Sequence, residues 1–317
     1  MPKVMVSGLF NDEQKAAIQA RLQGMEVVFA RGLRPADYKD QFKGIDYFIG
    51  FHIDADLFNS TPSLKGIHFL SAGINHALEH LTQLSSPVAL SASKGVSGPG
   101  IAEYTIGAML AFNGGFFPLK NASSENREQV QESFSPRVEL AKQSVLILGY
   151  GHIGQILAKK LDSLGATLWG FGRSEKSDTT PLDRYLTTDI DELLPLADHV
   201  VSLLPATKET DDFFSASRLQ SLKSGSCFYS LGRSEYIDHD ALLAALQSGQ
   251  IKACLLDKLP TDQNHAILKH PNAFVSDGAA DWTTAKPERQ IDLLVENAKR
   301  VLGGKDPLGS VDLGLGY

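Results

Sequence analysis

At 317 residues the chain is long for a single hydrophobic core, so its length predicts two domains. Hydrophobic residues at 43% and charged residues at 21% are the proportions of a soluble globular protein. The formal net charge of −7, with no basic stripe along the chain, excludes the electrostatic footprint of a nucleic-acid binder.

Strand-like and helix-like segments alternate from the start. Met1-Pro2-Lys3 leads directly into an apolar strand over 3–7 without a signal-peptide layout, so a cytoplasmic protein is expected. A helix is predicted over 11–23, with Asn11 and Gln14 in capping-box spacing and Gly24 as its stop. Further strands are predicted at 26–30, 47–51, 67–70 and 88–91, with short helices between them. Such alternation means a parallel sheet covered by helices, and residues 1–95 read as one α/β domain. The segment 99–117 predicts a long helix, apolar on nearly all sides and therefore buried between layers, domains or subunits. Glu103, Asn113 and three glycines interrupt the apolar run 101–119 and exclude a membrane span. Polar residues 121–143 form a surface connection.

The stretch 144–174, SVLILGYGHIGQILAKKLDSLGATLWGFGRS, organises the rest. A strand at 145–148 runs into Gly149-Tyr150-Gly151-His152-Ile153-Gly154, a complete G-x-G-x-x-G, then a helix over 153–164 and a second strand at 166–171. The first glycine permits a tight turn, the second lets backbone approach a pyrophosphate, and the third lets helix pack on strand. The helix N-terminus adds free N–H groups and a partial positive charge. Where an NAD site places Asp or Glu, at the end of the second strand, this chain has Gly172, Arg173 and Ser174. A guanidinium and a hydroxyl suit a ribose 2′-phosphate, so NADP is favoured over NAD; the alternative is a solvated Arg173 with NAD bound.

Strands at 199–204, 226–231, 251–257 and 273–276 complete six in this second unit, a doubly wound Rossmann sheet. Cys227 and Cys254 lie inside two of them and read as core fillers in a reducing compartment. The last helix, 287–302, has no following strand there and is expected to return to the first domain. The fold class is therefore α/β with two Rossmann-like domains. A discontinuous, flavodoxin-like domain comprises 1–95 with 285–317, and a dinucleotide-binding domain comprises 96–284.

The stretches SAGINHALEH (71–80), GPGIAEYTIGAML (98–110), ILGYGHIG (147–154), LLPATKET (203–210), SLGRSEYIDHDALLAALQSGQIKACLLD (230–257) and HPNAFVSDGAADWT (270–283) carry a resemblance over nearly the whole chain. In content, order and spacing it resembles the D-isomer-specific 2-hydroxyacid dehydrogenase family. The resemblance implies a substrate domain made by both chain ends, an active-site cleft at the junction of the two domains, and hydride transfer between a nicotinamide and a small 2-oxo or 2-hydroxy acid. It also implies a homodimer. Arg233, in SLGRS, takes the position of the arginine that holds the substrate carboxylate and polarises its 2-oxo group. The amides of Ala72, Gly73 and Ile74 match the carboxylate-binding loop, and Asp257 matches the residue that holds the nicotinamide amide. Pro205, Thr207 and Thr210 match the loop beside the cofactor, with a helix cap the alternative for Thr207. Phe51, His52 and Trp282 either line the cleft or pack.

The resemblance breaks at the proton donor. The family's His falls on Gly278, between Ser276-Asp277 and the rest of GAAD, and its Glu partner falls on Asp262, followed by Gln263. Asp277 and Asp281 flank the vacant position; His265 and His270 align with non-catalytic positions. Without the imidazole, weak, altered or absent 2-oxo acid reduction is expected, general acid catalysis being worth about 10²- to 10⁴-fold. The alternative is a catalytically silent dinucleotide-binding sensor or interaction protein. His76-x-x-Glu79-His80 spells a zinc pattern but has no third ligand selected, so no metal is expected.

Overall fold

In the computed structural model the described residues are 1–132, 137–205, 207–260, 262–311 and 313, so part of the polar connection predicted at 121–143 lies outside them. The chain divides into two compact units, Met1–Val96 with Thr284–Tyr317, and Ser97–Thr283.

The first unit is a five-stranded, wholly parallel sheet: β1 (Lys3–Val6), β2 (Glu26–Phe29), β3 (Tyr47–Gly50), β4 (Gly66–Phe69) and β5 (Ala89–Ala92), in the order β2-β1-β3-β4-β5. This is the flavodoxin-like order. Helix Asp12–Arg21 begins with the expected capping box: Asn11 accepts from Gln14 N–H while the Gln14 side chain accepts from Asn11 N–H. Helix Lys286–Leu302 belongs to this unit, and its apolar stripe of Ile291, Leu294, Val295, Ala298 and Val301 packs with Val4, Val6, Tyr47 and Ile49 of the sheet. On the same helix Asn297 is fully buried; its side chain accepts from Leu308 N–H (2.7 Å), donates to Leu308 C=O (2.9 Å) and so ties down the segment that follows.

The second unit holds seven parallel strands: β6 (Ser144–Leu148), β7 (Thr167–Phe171), β8 (Arg184–Leu186), β9 (His199–Ser202), β10 (Ser226–Ser230), β11 (Ile251–Leu256) and β12 (Ala273–Val275). Their order, β12-β11-β10-β9-β6-β7-β8, is the doubly wound one with a switch point between β6 and β9. Sequence reading expects six strands and misses β8, a three-residue edge strand whose surroundings, Asp183, Thr187 and Thr188, are polar. The predicted helix 99–117 is also corrected. It runs Gly98–Gly114, breaks at Gly115 in the left-handed region (φ 64°), and resumes as Phe116–Asn121. Within the single chain it buries one face, with Ile101, Ala102, Thr105, Met109 and Phe112, and leaves Glu103, Gly107 and Leu110 exposed. Cys227 and Cys254 are buried free thiols in β10 and β11.

Each unit buries a neutral histidine. His68 lies between the hydroxyls of Ser91 (2.9 Å) and Ser93 (3.2 Å), and burial pushes its pKa down to about 3. His199, beside Tyr229 Oη (2.9 Å) and Gln143 Oε1 (3.2 Å), is pushed down to about 4 by burial. In the unfolded chain both protonate near 6.5, so their contribution is complete above that pH and is lost as pH falls toward 4 and 3. Stability measured by urea titration should therefore fall on acidification from pH 6.5, with each histidine contributing about 1.4 kcal/mol per pH unit. In His68→Gln the slope between pH 6 and 4 should drop by about one proton, and an unchanged slope would refute the assignment.

Candidate active site at the carboxyl edge of the second sheet

Because all seven strands run parallel, the residues just past each one gather on one edge, and ligands of such sheets bind there at the switch point. At β6 the three motif glycines do separate work. Gly149 adopts φ 88°, and a Cβ there would stand 2.9 Å from Leu203 C=O, so only glycine lets the turn lie against the end of β9. A Cβ on Gly154 would stand 2.9 Å from Gly149 C=O, so the third glycine seats the helix on the turn. A Cβ on Gly151 would meet nothing within 4 Å, so that face of the turn is open.

Gly149 and Tyr150 both donate their N–H groups to Phe171 C=O (2.9 and 3.0 Å), and the first bond of helix His152–Asp162 is Gln155 N–H to Gly151 C=O. No described hydrogen bond uses the N–H of His152, Ile153 or Gly154. Three free donors at a helix N-terminus, next to a glycine whose Cβ direction is open, fit a dinucleotide pyrophosphate. The Tyr150 side chain turns away from that space. It is buried, donates to Thr180 C=O (3.2 Å) and packs on Tyr185, so only its backbone belongs to the turn.

At the end of β7, a Cβ on Gly172 would fall 2.3 Å from Tyr185 Oη, and Tyr185 donates to Ser174 C=O (2.8 Å), which fixes the course of 172–174. Arg173 is exposed, and its guanidinium lies 4.0 Å from the Glu209 carboxylate. After β9, Thr210 Oγ1 donates to Pro205 C=O (2.7 Å) and accepts from Thr207 N–H (2.9 Å). Thr210 therefore staples the loop, and Thr207 begins a turn rather than capping a helix.

After β10, Gly232 leads to Arg233, which is exposed and makes no ion pair or side-chain hydrogen bond with the described residues. The loop is held by Tyr236, a residue that sequence reading does not single out. Its buried hydroxyl meets the hydroxyls of Ser202 (3.2 Å) and Ser230 (3.1 Å) and the backbone N–H groups of Gly232 and Arg233. A Cβ on Gly232 would fall 2.3 Å from that oxygen, so glycine is needed for the approach.

After β11, Asp257 is buried, and its Oδ1 accepts from Ser276 Oγ (2.6 Å) and Ala280 N–H (3.1 Å). Gly278 N–H donates to Asp257 C=O (2.7 Å). Asp257 thus braces the turn after β12, in which Asp277 (φ 48°) and Gly278 (φ 85°) are both left-handed. Asp262 is exposed and accepts from Asn264 N–H (2.9 Å) as a turn cap, so no proton-donor dyad forms with Gly278. His265 bonds Asp240 (3.1 Å).

In the first unit, no described hydrogen bond uses the N–H of Ala72, Gly73 or Ile74, while Ser71 Oγ donates to Gly73 C=O (2.7 Å) and curls the loop. Those amides form an anion-ready backbone. In the decoy zinc pattern, His76 bonds Phe51 C=O (2.7 Å) and His80 accepts from Ala55 N–H (3.4 Å).

A doubly wound parallel sheet with an open glycine turn at its switch point defines a dinucleotide-binding protein. The profile described as "D-isomer specific 2-hydroxyacid dehydrogenase, NAD binding domain" matches residues 106–277, and the chain belongs to that family. It is 27% identical over 261 residues to a glyoxylate reductase of Thermofilum pendens, covering 80% of this chain and 77% of the relative. It is 26% identical over 319 residues to a glyoxylate/hydroxypyruvate reductase A of Serratia proteamaculans, covering 97% of each. Among solved structures, an NADPH-dependent glyoxylate/hydroxypyruvate reductase of Sinorhizobium meliloti, in complex with NADP and sulfate, matches the whole of both chains with a TM-score of 0.80 at 24% identity.

Proposed function

We propose that the chain is an NADPH-preferring reductase of small 2-oxo acids, with residues 97–283 as cofactor domain and the first unit as substrate domain. The observation that carries it is the carboxyl edge of the second sheet. There the pyrophosphate turn, the stapled loop 205–210, the unpaired Arg233 and the braced Asp257 follow β6, β9, β10 and β11. The relatives' names, glyoxylate and glyoxylate/hydroxypyruvate reductase, support a short 2-oxo acid as substrate.

A bound nicotinamide supplies the hydride. Arg233 would then hold the substrate carboxylate and lend positive charge to the 2-oxo group. Asp257, with Oδ2 outside its described bonds, accepts from the nicotinamide amide. Arg173 and Ser174 bind the 2′-phosphate, with Arg173 leaving its loose contact to Glu209. A homodimer through the exposed face of helix Gly98–Gly114 and the start of Phe116–Asn121 is part of the same proposal; Leu110 (46% exposed) and Phe116 (59%) support it, and sedimentation velocity reads it.

The test is NADPH oxidation by the purified protein against glyoxylate, hydroxypyruvate, pyruvate and branched 2-oxo acids, with NADPH binding followed by fluorescence. Turnover with at least one of them is expected. The second reading, a silent dinucleotide-binding protein, is favoured by Gly278 in the imidazole's place, and binding without turnover would select it. For cofactor choice, Arg173→Ala should weaken NADPH about tenfold and leave NADH nearly unchanged, as expected for loss of one charge-assisted contact. Equal losses for both would refute the preference.

A further inference from the structure

We propose that the side-chain ammonium of Lys258 is the proton donor of this enzyme, occupying the space that a side chain at position 278 would otherwise fill. The inference rests on the 2-oxo acid reductase reading above and deepens it.

Lys258 directly follows the buried Asp257 at the carboxyl end of β11, between the ends of β10, which carries Arg233, and β12, which carries Gly278. A Cβ built on Gly278 would stand 2.7 Å from Lys258 Nζ, and among the described residues, its chain neighbours Asp277 and Ala279 aside, no other atom lies within 4 Å of it. The ammonium therefore sits where any side chain at 278 would begin. Its position is set from two directions: Gly278 N–H bonds Asp257 C=O (2.7 Å), and Asp257 Oδ1 holds both Ser276 and Ala280. Lys258 is half-buried, and its Nζ makes no hydrogen bond or ion pair with the described residues. Lysines of that exposure ordinarily place the head in water or on a carboxylate. Here the head is directed across the turn at the one position without a side chain. The neighbouring acids are placed otherwise: Asp281 accepts from Ser97 Oγ (2.8 Å), and Asp277 is exposed.

The chemistry balances with this donor. As C2 of the 2-oxo acid accepts hydride from the reduced nicotinamide, the carbonyl π pair moves onto its oxygen, and a proton on Lys258 Nζ passes to that oxygen. The products are the 2-hydroxy acid, the oxidised nicotinamide and a neutral amine, which regains its proton from water. An ammonium also stabilises the negative charge growing on the oxygen before the proton moves.

Three proteins and one spectrum test this. Lys258→Ala should lower kcat/KM for glyoxylate by about 10²- to 10⁴-fold, the ordinary value of a general acid, with NADPH affinity within twofold of wild type. Gly278→His added to Lys258→Ala should recover at least tenfold, because removing the lysine clears the volume for the imidazole, with urea unfolding run beside it to read the strain of a side chain at φ 85°. For a readout that needs no turnover, lysines are reductively dimethylated with ¹³C-formaldehyde, and the Lys258 resonance is assigned by its loss in Lys258→Ala. That resonance should move when oxamate is added to the NADPH complex. A wild type that turns over while Lys258→Ala stays within threefold of it, or a Lys258 resonance indifferent to oxamate, overturns the donor and leaves the reductase reading intact. A wild type that binds NADPH and reduces none of the 2-oxo acids overturns both.

Discussion

Replacing Gly151 by Asp is expected to abolish dinucleotide binding without unfolding the protein. Gly151 is the N-cap of helix His152–Asp162 with φ −89°, an ordinary value for any residue, and its Cβ would project into open space. Aspartate is among the best N-caps and its charge suits the helix dipole, so the fold should keep its stability or gain a few tenths of a kcal/mol. That carboxylate would, however, sit where the free N–H groups of 152–154 await a phosphate, satisfying them and repelling it. An affinity loss of about 100-fold or more for NADPH should follow, equivalent to about 3 kcal/mol. Gly154→Ala is the complementary variant. Its Cβ would press on Gly149 C=O at 2.9 Å and Ile147 Cγ2 at 3.2 Å, so it should destabilise by about 1–3 kcal/mol through overpacking. NADPH titration beside urea unfolding separates the two. Binding within threefold of wild type in Gly151→Asp would remove this turn from the cofactor site.

Arg233→Met should lower kcat/KM for 2-oxo acids about 10³-fold, through both a higher KM and a lower kcat. The guanidinium is asked to do two jobs: fixing the carboxylate as a planar fork and stabilising charge on the 2-oxo oxygen, where one lost donor costs about 10²- to 10³-fold. Arg233 can serve because nothing described competes for it and because its loop is held by the buried Tyr236 hydroxyl. Arg233→Lys should recover only part of the loss, since an ammonium keeps the charge and loses the fork. Steady-state kinetics with glyoxylate decides it, and an effect below fivefold for Arg233→Met would exclude Arg233 as the anchor.

Much of this was legible in the residue order. Eleven of the strands follow apolar runs bounded by turn residues, because a buried parallel strand must be apolar on both faces. The edge strand β8 escaped because one neighbour and an open edge require little apolar content. The glycine motif was legible because its positions have fixed spacing: Gly149 needs a left-handed turn and Gly154 a close helix seat, while Gly151 leaves the approach to the turn open.

The sequence by itself determined the two parallel-sheet units, the return of the last helix to the first unit, and the dinucleotide turn. Each is a property of local pattern or spacing, whereas the family's His falls on Gly278 only as the resemblance implies. Tertiary structure alone decided that Tyr236 holds the Arg233 loop, that Tyr150 packs away from the cofactor turn, that Asp262 merely caps a turn, and that Lys258 Nζ reaches the vacancy at Gly278. Tyr236 and Asp262 act within their own loops, where residue type does not reveal which way a side chain turns, and the 20 positions that separate Lys258 from Gly278 carry no local signal that one side chain fills the other's place. Parallel pairing of β11 with β12 brings their carboxyl ends side by side, and that juxtaposition sets the chemistry proposed for the site.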